Sequence, residues 1–305
     1  MKIAIIGTNG MISSYLTNFF TLKKNEVSCF GLDTPLNYNF TEFYYLNLDS
    51  LDFAIDKLNK FDLIVYAAGA GVQAALDTTS SLMYKLNLLV PINLIKMLEA
   101  TNYQGTFISF GSYMEIGVND TDQFFNEEQV EFSKFPASND YTLSKRLFTR
   151  FIGSIKTPFT FWHFILPNIF MKGEKGSRLI PYIIDYIEKM KNGEDVQRPK
   201  FSAGDQDRQY VNFEEVCEII LLCIEKKINS GIYNIGGGEI LQIRALINRI
   251  FSFYKFETSE EMFGKEIRRD NDVKCLKLNG SKLKKLIGFE PQTKIESILK
   301  NEISR

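Results

Sequence analysis

Short apolar runs alternate with longer amphipathic stretches over the first half of the 305-residue chain. This alternation is typical of βαβ units that build a parallel sheet. It predicts an α/β fold of the doubly wound, Rossmann type. The predicted strands are Lys2–Ile6, Val27–Phe30, Phe43–Leu46, Leu63–Ala67, Thr106–Phe110 and Thr160–Leu166. The predicted helices between them are Ile12–Leu22, Leu51–Leu58, Ser80–Ala100 and Ala137–Ile155.

The alternation becomes irregular after residue 167. No Gly/Ser linker, low-complexity tract or internal repeat separates the two halves. We therefore predict a dinucleotide-binding domain over 1–167 and a smaller C-terminal α/β substrate-binding lobe over 168–305, with some exchange of chain between them. The elements predicted in the second half are helices at Leu179–Met190, Phe213–Lys226, Ile243–Phe253 and Ser281–Leu286, and a strand at Gly231–Ile235.

Composition and charge exclude several classes of partner. Lys and Arg total 36 against 37 Asp and Glu, so neither nucleic acid nor a charged membrane is expected as a partner. No segment is apolar over the ~18 residues that a membrane helix needs, and the N-terminus lacks the pattern of a secretory signal. We expect a cytoplasmic protein.

The cysteines do not indicate a metal site. They form no CxxC pair and have no neighbouring histidines, so we predict no bound metal and reduced, mostly buried thiols. The four are Cys29, Cys217, Cys223 and Cys275.

A glycine turn follows the first predicted strand and runs from Gly7 to Ser13 as GTNGMIS. Such a strand-to-helix turn brings backbone N–H groups and the positive helix N-terminus to a dinucleotide pyrophosphate. Ser13 stands where the usual pattern has a third glycine, at the position where helix and strand pack closely. Serine is small enough that we expect a slight adjustment there and no loss of binding. The turn indicates a dinucleotide site, although an ordinary strand-to-helix turn can carry the same pair of glycines.

The residues after the second predicted strand bear on the choice between NAD and NADP. In dinucleotide-binding folds, an acid at the end of this strand holds the ribose 2′-hydroxyl of NAD. The expected position falls nearer Gly31 than Asp33, and Asp33 also suits a turn before Pro35. No arginine stands there to bind a 2′-phosphate, so NAD and NADP both stay open.

Tyr141 and Lys145 form a Tyr-x-x-x-Lys pair within a predicted helix. Residues four apart share one face of a helix, so both side chains can point into one cleft. Free tyrosine has a pKa of about 10 and becomes a useful proton-transfer group only where its surroundings favour the phenolate. A lysine one turn away and an oxidised nicotinamide would both do so. Taken alone, the spacing also fits a surface lysine beside a half-buried tyrosine.

The motifs together resemble those of the extended short-chain dehydrogenase/reductase family of nucleotide-sugar epimerases, dehydratases and ketoreductases. The resemblance covers nearly the full chain and keeps one order along it. The matching segments are the glycine turn, VYAAG at 65–69, the helix with Asn87, the strand to Ser112, the Tyr141 and Lys145 pair, LPNIF at 166–170, GDQDRQYVN at 204–212, GIYNIG at 231–236 and LIGFEP at 286–291.

The resemblance implies a role for each matching residue. The catalytic residues would be Ser112, Tyr141 and Lys145. The cofactor, NADP or NAD, would contact Gly7, Asn9, Gly10, Met11, Ile12, Asp33, Asn47, Leu48, Ala67, Ala68, Gly69, Asn87, Tyr141, Lys145 and Pro167. A nucleotide-sugar substrate would contact Ser112, Tyr113, Asn168, Arg178 and Arg208. Taken singly, Asn87 also fits a polar helix residue, Asn168 a loop cap and Arg208 a solvated charge.

The positions after Ser112 separate the reaction types of this family. The sugar 4,6-dehydratases have an Asp-Glu pair there, because they protonate a departing hydroxyl and abstract a C5 proton. This chain has Tyr113 and Met114, which disfavours dehydration unless Glu115 takes a carboxylate role. Relatives that epimerise C3 and C5 use additional Cys or His residues, but the single histidine, His163, lies in an apolar predicted strand and is interpreted as a core residue.

A 4-ketoreductase and a 4-epimerase both need only the Ser, Tyr and Lys set. We favour reduction of the 4-keto group of a nucleotide-linked 4-keto-6-deoxy sugar, because the segment from Gly111 to Lys145 is long and irregular, as in the ketoreductases that finish deoxysugars. The NAD-dependent 4-epimerase is the alternative. A non-catalytic nicotinamide-binding regulator is a third hypothesis, against which the retained catalytic set argues. The resemblance also implies a homodimer that packs the Tyr141 helix against its mate.

Overall fold

The structure, a computed structural model, describes residues 1–36, 38–50, 55–71, 79–171, 173–174, 178–266 and 273–303, with side chains to residue 300. Its strands are β1 (Lys2–Ile6), β2 (Glu26–Gly31), β3 (Glu42–Tyr45), β4 (Leu63–Tyr66), β5 (Thr106–Ser112), β6 (Thr160–Leu166), β7 (Asn168–Phe170), β8 (Asp207–Asn212), β9 (Gly231–Asn234), β10 (Glu239–Gln242) and β11 (Cys275–Leu276).

The helices include one long segment in which α3, a π-helical turn over Lys85–Leu89 and α4 follow without a break. A 3₁₀ turn over Tyr113–Ile116 follows β5 directly. The helices are α1 (Met11–Leu22), α2 (Ile55–Leu58), α3 (Ser80–Tyr84), α4 (Val90–Ala100), α5 (Glu127–Glu131), α6 (Asp140–Ser154), α7 (Leu179–Lys191), α8 (Phe213–Lys226), α9 (Ile243–Phe253), α10 (Ser281–Ile287) and α11 (Ile295–Ile303).

Within the described residues, seven strands form one parallel sheet in the order β3-β2-β1-β4-β5-β6-β9. The central strand β1 pairs on both sides, with Ile5 beside Cys29 of β2 and Val65 of β4. The direction of strand order reverses between β1 and β4, and in open α/β sheets ligands bind in the crevice at such a reversal. This arrangement confirms the predicted α/β, doubly wound parallel class.

Helices cover both faces of the parallel sheet, and β1 shows how the sequence directs them. Ile3 and Ile5 join a buried cluster with residues of α1, α8 and α10. Ala4 and Ile6 point to the other face and join a cluster with residues of α4 and α6. Because both faces of a parallel sheet are covered, its strands read as continuous apolar runs. This is why the central strands could be predicted from the sequence.

A second, smaller sheet is centred on β8. The strand pairs antiparallel with β10 and parallel with both β7 and β11. A third buried cluster, with residues of α7, α9 and α11, packs with Tyr210 and Leu241 of this sheet. Gln209 is buried within it, donates to the Gly237 carbonyl at 2.7 Å and accepts from the Leu278 N–H at 2.8 Å. This sheet and its helices form the smaller α/β unit that the predicted fold class includes.

Several predicted elements differ from those observed. The helix predicted from Ala137 begins only at Asp140, because the Asn139 side chain accepts from the Thr142 N–H at 2.9 Å and caps it there. Of the helix predicted over Leu51–Leu58, the part at 51–54 lies outside the described residues. The elements that sequence analysis missed are β7, β8, β10, β11, α5 and α11.

The division into domains at residue 167 stays a prediction. The strand β9, although it follows that point, lies in the first sheet beside β6. All four cysteines are free, and all four are buried, which confirms the predicted burial of the thiols. Over the parts of the chain that the structure describes, no helix combines the length and the hydrophobicity needed to cross a membrane.

The first prediction concerns the core of the parallel sheet. Phe164 of β6 is 0% exposed, so replacing it with Ala leaves a cavity between β6 and the helices on that face. We expect Phe164→Ala to lower the free energy of unfolding by about 3–5 kcal/mol, measured by urea denaturation. Phe132→Ala is the matched control, because Phe132 is 55% exposed. Equal losses in the two variants would contradict the packing described for β6.

Candidate active site

The glycine turn lies where β1 and β4 end side by side. Gly7 has φ +103° and donates its N–H to the Phe30 carbonyl at 2.8 Å. A Cβ on Gly7 would lie 2.9 Å from the Ala68 backbone nitrogen, so only glycine lets the two strand ends approach this closely. Gly10 caps α1, whose first turn contains Met11 and Ile12.

Ser13 occupies the position of the third glycine and lies within the first turn of α1. Its side chain is buried and donates to the Gly10 carbonyl at 3.0 Å, within the first turn of α1. The hydroxyl is therefore satisfied by the helix itself. The expectation that dinucleotide binding survives this replacement stays a prediction.

The loop after β2 folds over the glycine turn. Asn9 has φ +57°, and its side chain donates to the Thr34 carbonyl at 3.2 Å and accepts from the Leu36 N–H at 3.0 Å. The Asn9 N–H donates to the Tyr38 hydroxyl at 3.3 Å, a contact that sequence analysis missed. Asp33 is exposed beyond the end of β2. Its predicted contact with ribose stays a prediction.

The other residues predicted to contact cofactor follow strands β3, β4 and β6. Asn47 lies in the turn after β3, where its side chain accepts from the Asp49 N–H at 2.9 Å, and Leu48 packs against the core. Pro167 is buried between β6 and β7. These residues lie where parallel strands end, which is the edge at which the sequence placed the cofactor.

The segment after β4 contacts the helix that carries the tyrosine and lysine. Ala67 donates its N–H to the Ile6 carbonyl at 2.9 Å, which holds the start of the segment against β1. A Cβ on Gly69 would lie 3.0 Å from the Asn87 Oδ1 and 3.9 Å from the Lys145 Nζ. A Cβ on Gly71 would lie 3.9 Å from a ring carbon of Tyr141. Small residues thus line the space directly beside both side chains.

Asn87 is buried in the π-helical turn and joins this segment to α6. Its amide nitrogen donates to the Ala70 carbonyl at 2.7 Å and to the Ser144 hydroxyl at 3.1 Å. Its amide oxygen accepts from the Ala70 N–H at 3.1 Å. The side chain thus fixes the backbone beside which the sequence predicted cofactor to lie.

The structure brings the three predicted catalytic residues together. Ser112 ends β5, and its hydroxyl is hydrogen-bonded to Tyr141 of α6. Lys145, one helical turn further on, donates from Nζ to the Phe110 carbonyl of β5 at 2.9 Å. The spacing of four residues therefore does place Tyr141 and Lys145 on the face of α6 that meets β5.

The surroundings shift the pKa values of both side chains. Burial raises the pKa of Tyr141, the hydrogen bond with Ser112 lowers it, the charge of Glu115 raises it and that of Arg178 lowers it. Burial lowers the pKa of Lys145 to about 8, against the opposing charge of Glu115. Sequence analysis expected Lys145 to favour the phenolate, and this stays a prediction. In the structure, Ser112 and Arg178 favour the phenolate, but burial outweighs them and the pKa of Tyr141 is raised.

Arg146 and Glu115 hold the backbone beside the three predicted catalytic residues. Sequence analysis predicted neither of these contacts. Arg146 donates from Nε to the Glu115 carbonyl at 2.8 Å and from Nη1 to the Phe135 carbonyl at 2.9 Å. The Glu115 carboxyl is 0% exposed and accepts from the Ser112 N–H at 2.7 Å. His163 is also fully buried, as predicted, and burial lowers its pKa to about 3.

A cleft of about 300 Å³ lies between the 3₁₀ turn and the second sheet. Arg178 lies in it and donates to the Glu174 carboxylate at 3.1 Å, to the Ile169 carbonyl at 2.9 Å and to the Met11 sulfur at 3.4 Å. It therefore links the cleft to the glycine turn. The residues lining the cleft include the predicted substrate contacts Tyr113, Asn168, Arg178 and Arg208, together with Met114, Glu174, Gln206 and Tyr210.

Arg208 and Gln206 occupy the far side of this cleft. Arg208 is buried and donates to the Asp207 carbonyl at 2.7 Å and to the Val273 carbonyl at 2.8 Å. Its predicted contact with nucleotide phosphates stays a prediction. Among the described residues, the Gln206 amide oxygen is buried without a hydrogen-bond partner. Sequence analysis did not single out Gln206, although it lies within the segment compared with the family.

The residues at the edge of the sheet fit a nicotinamide dinucleotide. Among the described residues, no side chain caps α1, so its backbone N–H groups can bind a pyrophosphate, and the backbone at Gly69 and Gly71 leaves room beside Lys145 and Tyr141. A parallel sheet with this turn and a Ser, Tyr and Lys set beside it defines the class of dinucleotide-binding α/β proteins.

Comparison with known proteins identifies the family within that class. Residues 3–236 match the NAD dependent epimerase/dehydratase family, and the chain belongs to that family. The chain is 20% identical over 323 aligned residues to the uncharacterized protein MJ1055 of Methanocaldococcus jannaschii, with 98% of this chain and 94% of that protein covered.

Solved structures show the same fold. One is MoeE5 in complex with UDP-glucuronic acid and NAD, with a TM-score of 0.79, 16% identity and coverage of 100% of this chain and 98% of that one. Another is RMD from Pseudomonas aeruginosa complexed with NADPH, with a TM-score of 0.76, 20% identity and coverage of 100% and 99%. At these identities, the comparison establishes the shared fold.

The second prediction concerns the hydrogen bonds of Asn87. Asn87→Ala removes both partners of the Ala70 backbone and leaves those buried groups unpaired, so we expect a loss of about 1–3 kcal/mol in the free energy of unfolding. Asn18→Ala, at an exposed position of α1, is the matched control. Urea denaturation of both variants measures the difference, and an Asn87→Ala variant as stable as the control would contradict the role given to this side chain.

Proposed function

We propose that the protein reduces the 4-keto group of a nucleotide-linked 4-keto-6-deoxy sugar with NADPH or NADH. Membership of an NAD dependent family supports the nicotinamide cofactor. Structures of proteins with the same fold contain UDP-glucuronic acid and NAD in one case and NADPH in another. They support a nucleotide sugar as substrate and are consistent with either cofactor.

The observation that carries the proposal is the direction of the side chains after Ser112. Tyr113 and Met114 line the cleft, whereas the carboxyl of Glu115 is buried behind the serine and bonded to its N–H. An elimination needs an acid and a base beside the sugar, in addition to the tyrosine. Within the described lining of the cleft, the acidic side chain is Glu174, and it is paired with Arg178. The site therefore suits carbonyl reduction better than dehydration.

In the proposed reaction, Tyr141 donates its proton to the carbonyl oxygen of the sugar. Its raised pKa keeps it protonated at neutral pH, as a general acid requires. The Ser112 hydroxyl donates a hydrogen bond to the same oxygen and stabilises the charge that develops on it. A bound reduced nicotinamide supplies the hydride.

Lys145 and Arg178 place positive charge near the reacting groups. Lys145 is charged below its pKa of about 8 and borders the backbone at Gly69, where it would bind the ribose hydroxyls of the nicotinamide half. Arg178 stabilises the anionic form of Tyr141 that remains after proton transfer. Tyr113, Asn168 and Arg208 would bind the rest of the substrate.

A 4-epimerase is the second candidate, and the family description favours it. It would use the same Ser112, Tyr141 and Lys145, with NAD retained in the protein. The two reactions differ in stoichiometry, because a reductase consumes one reduced cofactor for each sugar while an epimerase consumes none.

The purified protein is therefore assayed for NADPH and NADH oxidation with UDP-, GDP-, CDP- and dTDP-linked 4-keto-6-deoxy sugars. Oxidation matched by loss of the ketone supports the reductase. Interconversion of 4-hydroxy epimers, supplied as nucleotide sugars without reduced cofactor, supports the epimerase.

The third prediction concerns Tyr141. Tyr141→Phe removes the hydroxyl that protonates the sugar oxygen and leaves the ring in place, so we expect kcat to fall about 10²–10⁴-fold while cofactor affinity is retained. Tyr103→Phe is the control, because Tyr103 is also buried and its hydroxyl also donates a hydrogen bond, to the Thr106 carbonyl at 3.2 Å. Steady-state kinetics and calorimetric titration of cofactor measure the two quantities. Full activity in Tyr141→Phe would contradict the assignment of the acid.

The fourth prediction concerns the pH dependence of cofactor binding. Because burial lowers the pKa of Lys145 to about 8, the ammonium is lost as pH rises through that value, and cofactor affinity declines with it. Lys145→Met removes a charged hydrogen-bond donor, so we expect binding about 10- to 100-fold weaker at pH 7, with no decline around pH 8. Calorimetric titration between pH 6.5 and 9.5 tests this, with Lys226→Met, at an exposed position of α8, as control. The same decline in Lys145→Met as in the wild type would contradict it.

A further inference from the structure

A buried carboxyl lies directly behind the serine of the candidate site. Glu115 is 0% exposed, and one oxygen of its carboxyl accepts from the Ser112 N–H at 2.7 Å. The other oxygen accepts from the Thr149 hydroxyl at 2.6 Å. The main chain of Glu115 is also held, since its carbonyl accepts from Arg146 at 2.8 Å. Both oxygens of the carboxyl and its own backbone are thus engaged.

The hydrogen bonds continue from Thr149 into the sheet. The Thr149 hydroxyl lies 2.9 Å from Nε2 of His163, and Nδ1 of His163 lies 2.8 Å from the Ser109 hydroxyl of β5. A hydroxyl has one proton to donate. With Glu115 ionised, Thr149 donates to the carboxylate, His163 donates from Nε2 to Thr149, and Ser109 donates to Nδ1. With Glu115 protonated, the donor and the acceptor can exchange roles in each of these three hydrogen bonds.

The groups that face Glu115 come from each element packed around it. From α6 these are Lys145 and Arg146, whose charges lower the pKa of Glu115, and from β6 it is His163, which burial keeps neutral. Burial dominates and raises the pKa of Glu115 to about 7, against the bonds from Thr149 and Ser112. Its carboxyl therefore changes charge near neutral pH.

The charge on Glu115 reaches the predicted acid and its lysine. It raises the pKa of Tyr141 and that of Lys145, whose side chains lie on the face of α6 towards β5. A negative charge here therefore keeps the tyrosine protonated and the lysine charged. Losing that charge favours the phenolate and the neutral amine.

We propose that Glu115 is a positioning residue, which holds the backbone of Ser112 and, by its own charge, sets the charge states of Tyr141 and Lys145. Its significance for turnover rests on the proposed function, but its effect on Tyr141 does not require turnover. Above neutral pH the ionised carboxylate helps to keep Tyr141 a proton donor. Below it, the protonated carboxyl still holds Ser112 through the same N–H bond.

The test compares Glu115→Gln with the wild type. The amide oxygen of Gln still accepts from the Ser112 N–H, its NH₂ group donates to Thr149, and the charge is gone, as in the protonated acid. Glu127→Gln is the matched control, because Glu127 is also buried and accepts a backbone N–H, that of Asn234 at 3.0 Å, away from Ser112. The probe is the phenolate absorbance of Tyr141. It is obtained by subtracting, at each pH, the absorbance of the same protein with the additional substitution Tyr141→Phe.

We expect the phenolate transition of Tyr141 to begin at lower pH in Glu115→Gln and to stay in place in Glu127→Gln. In a carbonyl-reduction assay, the fall of kcat/KM at high pH should begin earlier by the same amount, and a step near pH 7 present in the wild type should be absent. An unchanged Tyr141 transition in a folded Glu115→Gln variant overturns the proposal. If the wild type reduces none of the sugars, the proposed function fails, while the absorbance titration still decides this inference.

A second pair of variants keeps the proposal testable if Glu115→Gln does not fold. Thr149→Val removes the hydroxyl whose hydrogen bond lowers the pKa of Glu115, so the step near pH 7 should move to higher pH. Thr149→Ser restores the hydroxyl and should return the step to its wild-type position. A purely structural role for Thr149 would change stability in Thr149→Val without moving the step, and that result overturns the proposal.

Discussion

Helix α6 is held against the end of β5 by hydrogen bonds from its side chains to backbone carbonyls, and the candidate site depends on this contact. Arg146 donates to the carbonyls of Glu115, Ile116 and Phe135, and Lys145 donates to that of Phe110. Because the main chain accepts these bonds, the position of the helix along the strand is set by the backbone of β5, of the 3₁₀ turn and of the segment before α6. The hydroxyls of the tyrosine and the serine meet as a consequence.

A second contact joins the cofactor edge of the sheet to the cleft beside the smaller sheet. Arg178 donates to the Met11 sulfur in the glycine turn and to Glu174 and the Ile169 carbonyl in the cleft. Its charge also acts on Tyr141. A dinucleotide on one side and a sugar on the other would therefore meet at the tyrosine, with one arginine between them. This geometry favours a reaction between two bound partners.

The sequence predicted some parts of the fold and of the candidate site, and it did not predict others. Buried parallel strands read as apolar runs, so β1, β2, β4, β5 and β6 were predictable. Strand β8 was missed because its sequence, DRQYVN, is polar and its buried Gln209 is satisfied by partners on other segments. The spacing of Tyr141 and Lys145 marked one helix face. The chain from Glu115 through Thr149 to His163 joins separate elements, and no local pattern encodes it.

The central claim is that hydride passes from an exchangeable reduced nicotinamide to a sugar carbonyl at the site of Ser112, Tyr141 and Lys145. A reduced cofactor deuterated at C4 of the nicotinamide, incubated with the protein and a nucleotide-linked 4-keto-6-deoxy sugar, tests it directly by NMR of the product. We expect one deuterium at C4 of the sugar for each cofactor oxidised. Unlabelled sugar with the cofactor unchanged would contradict the claim. In a parallel incubation without reduced cofactor, interconversion of 4-hydroxy epimers by NAD that stays in the protein would also contradict it.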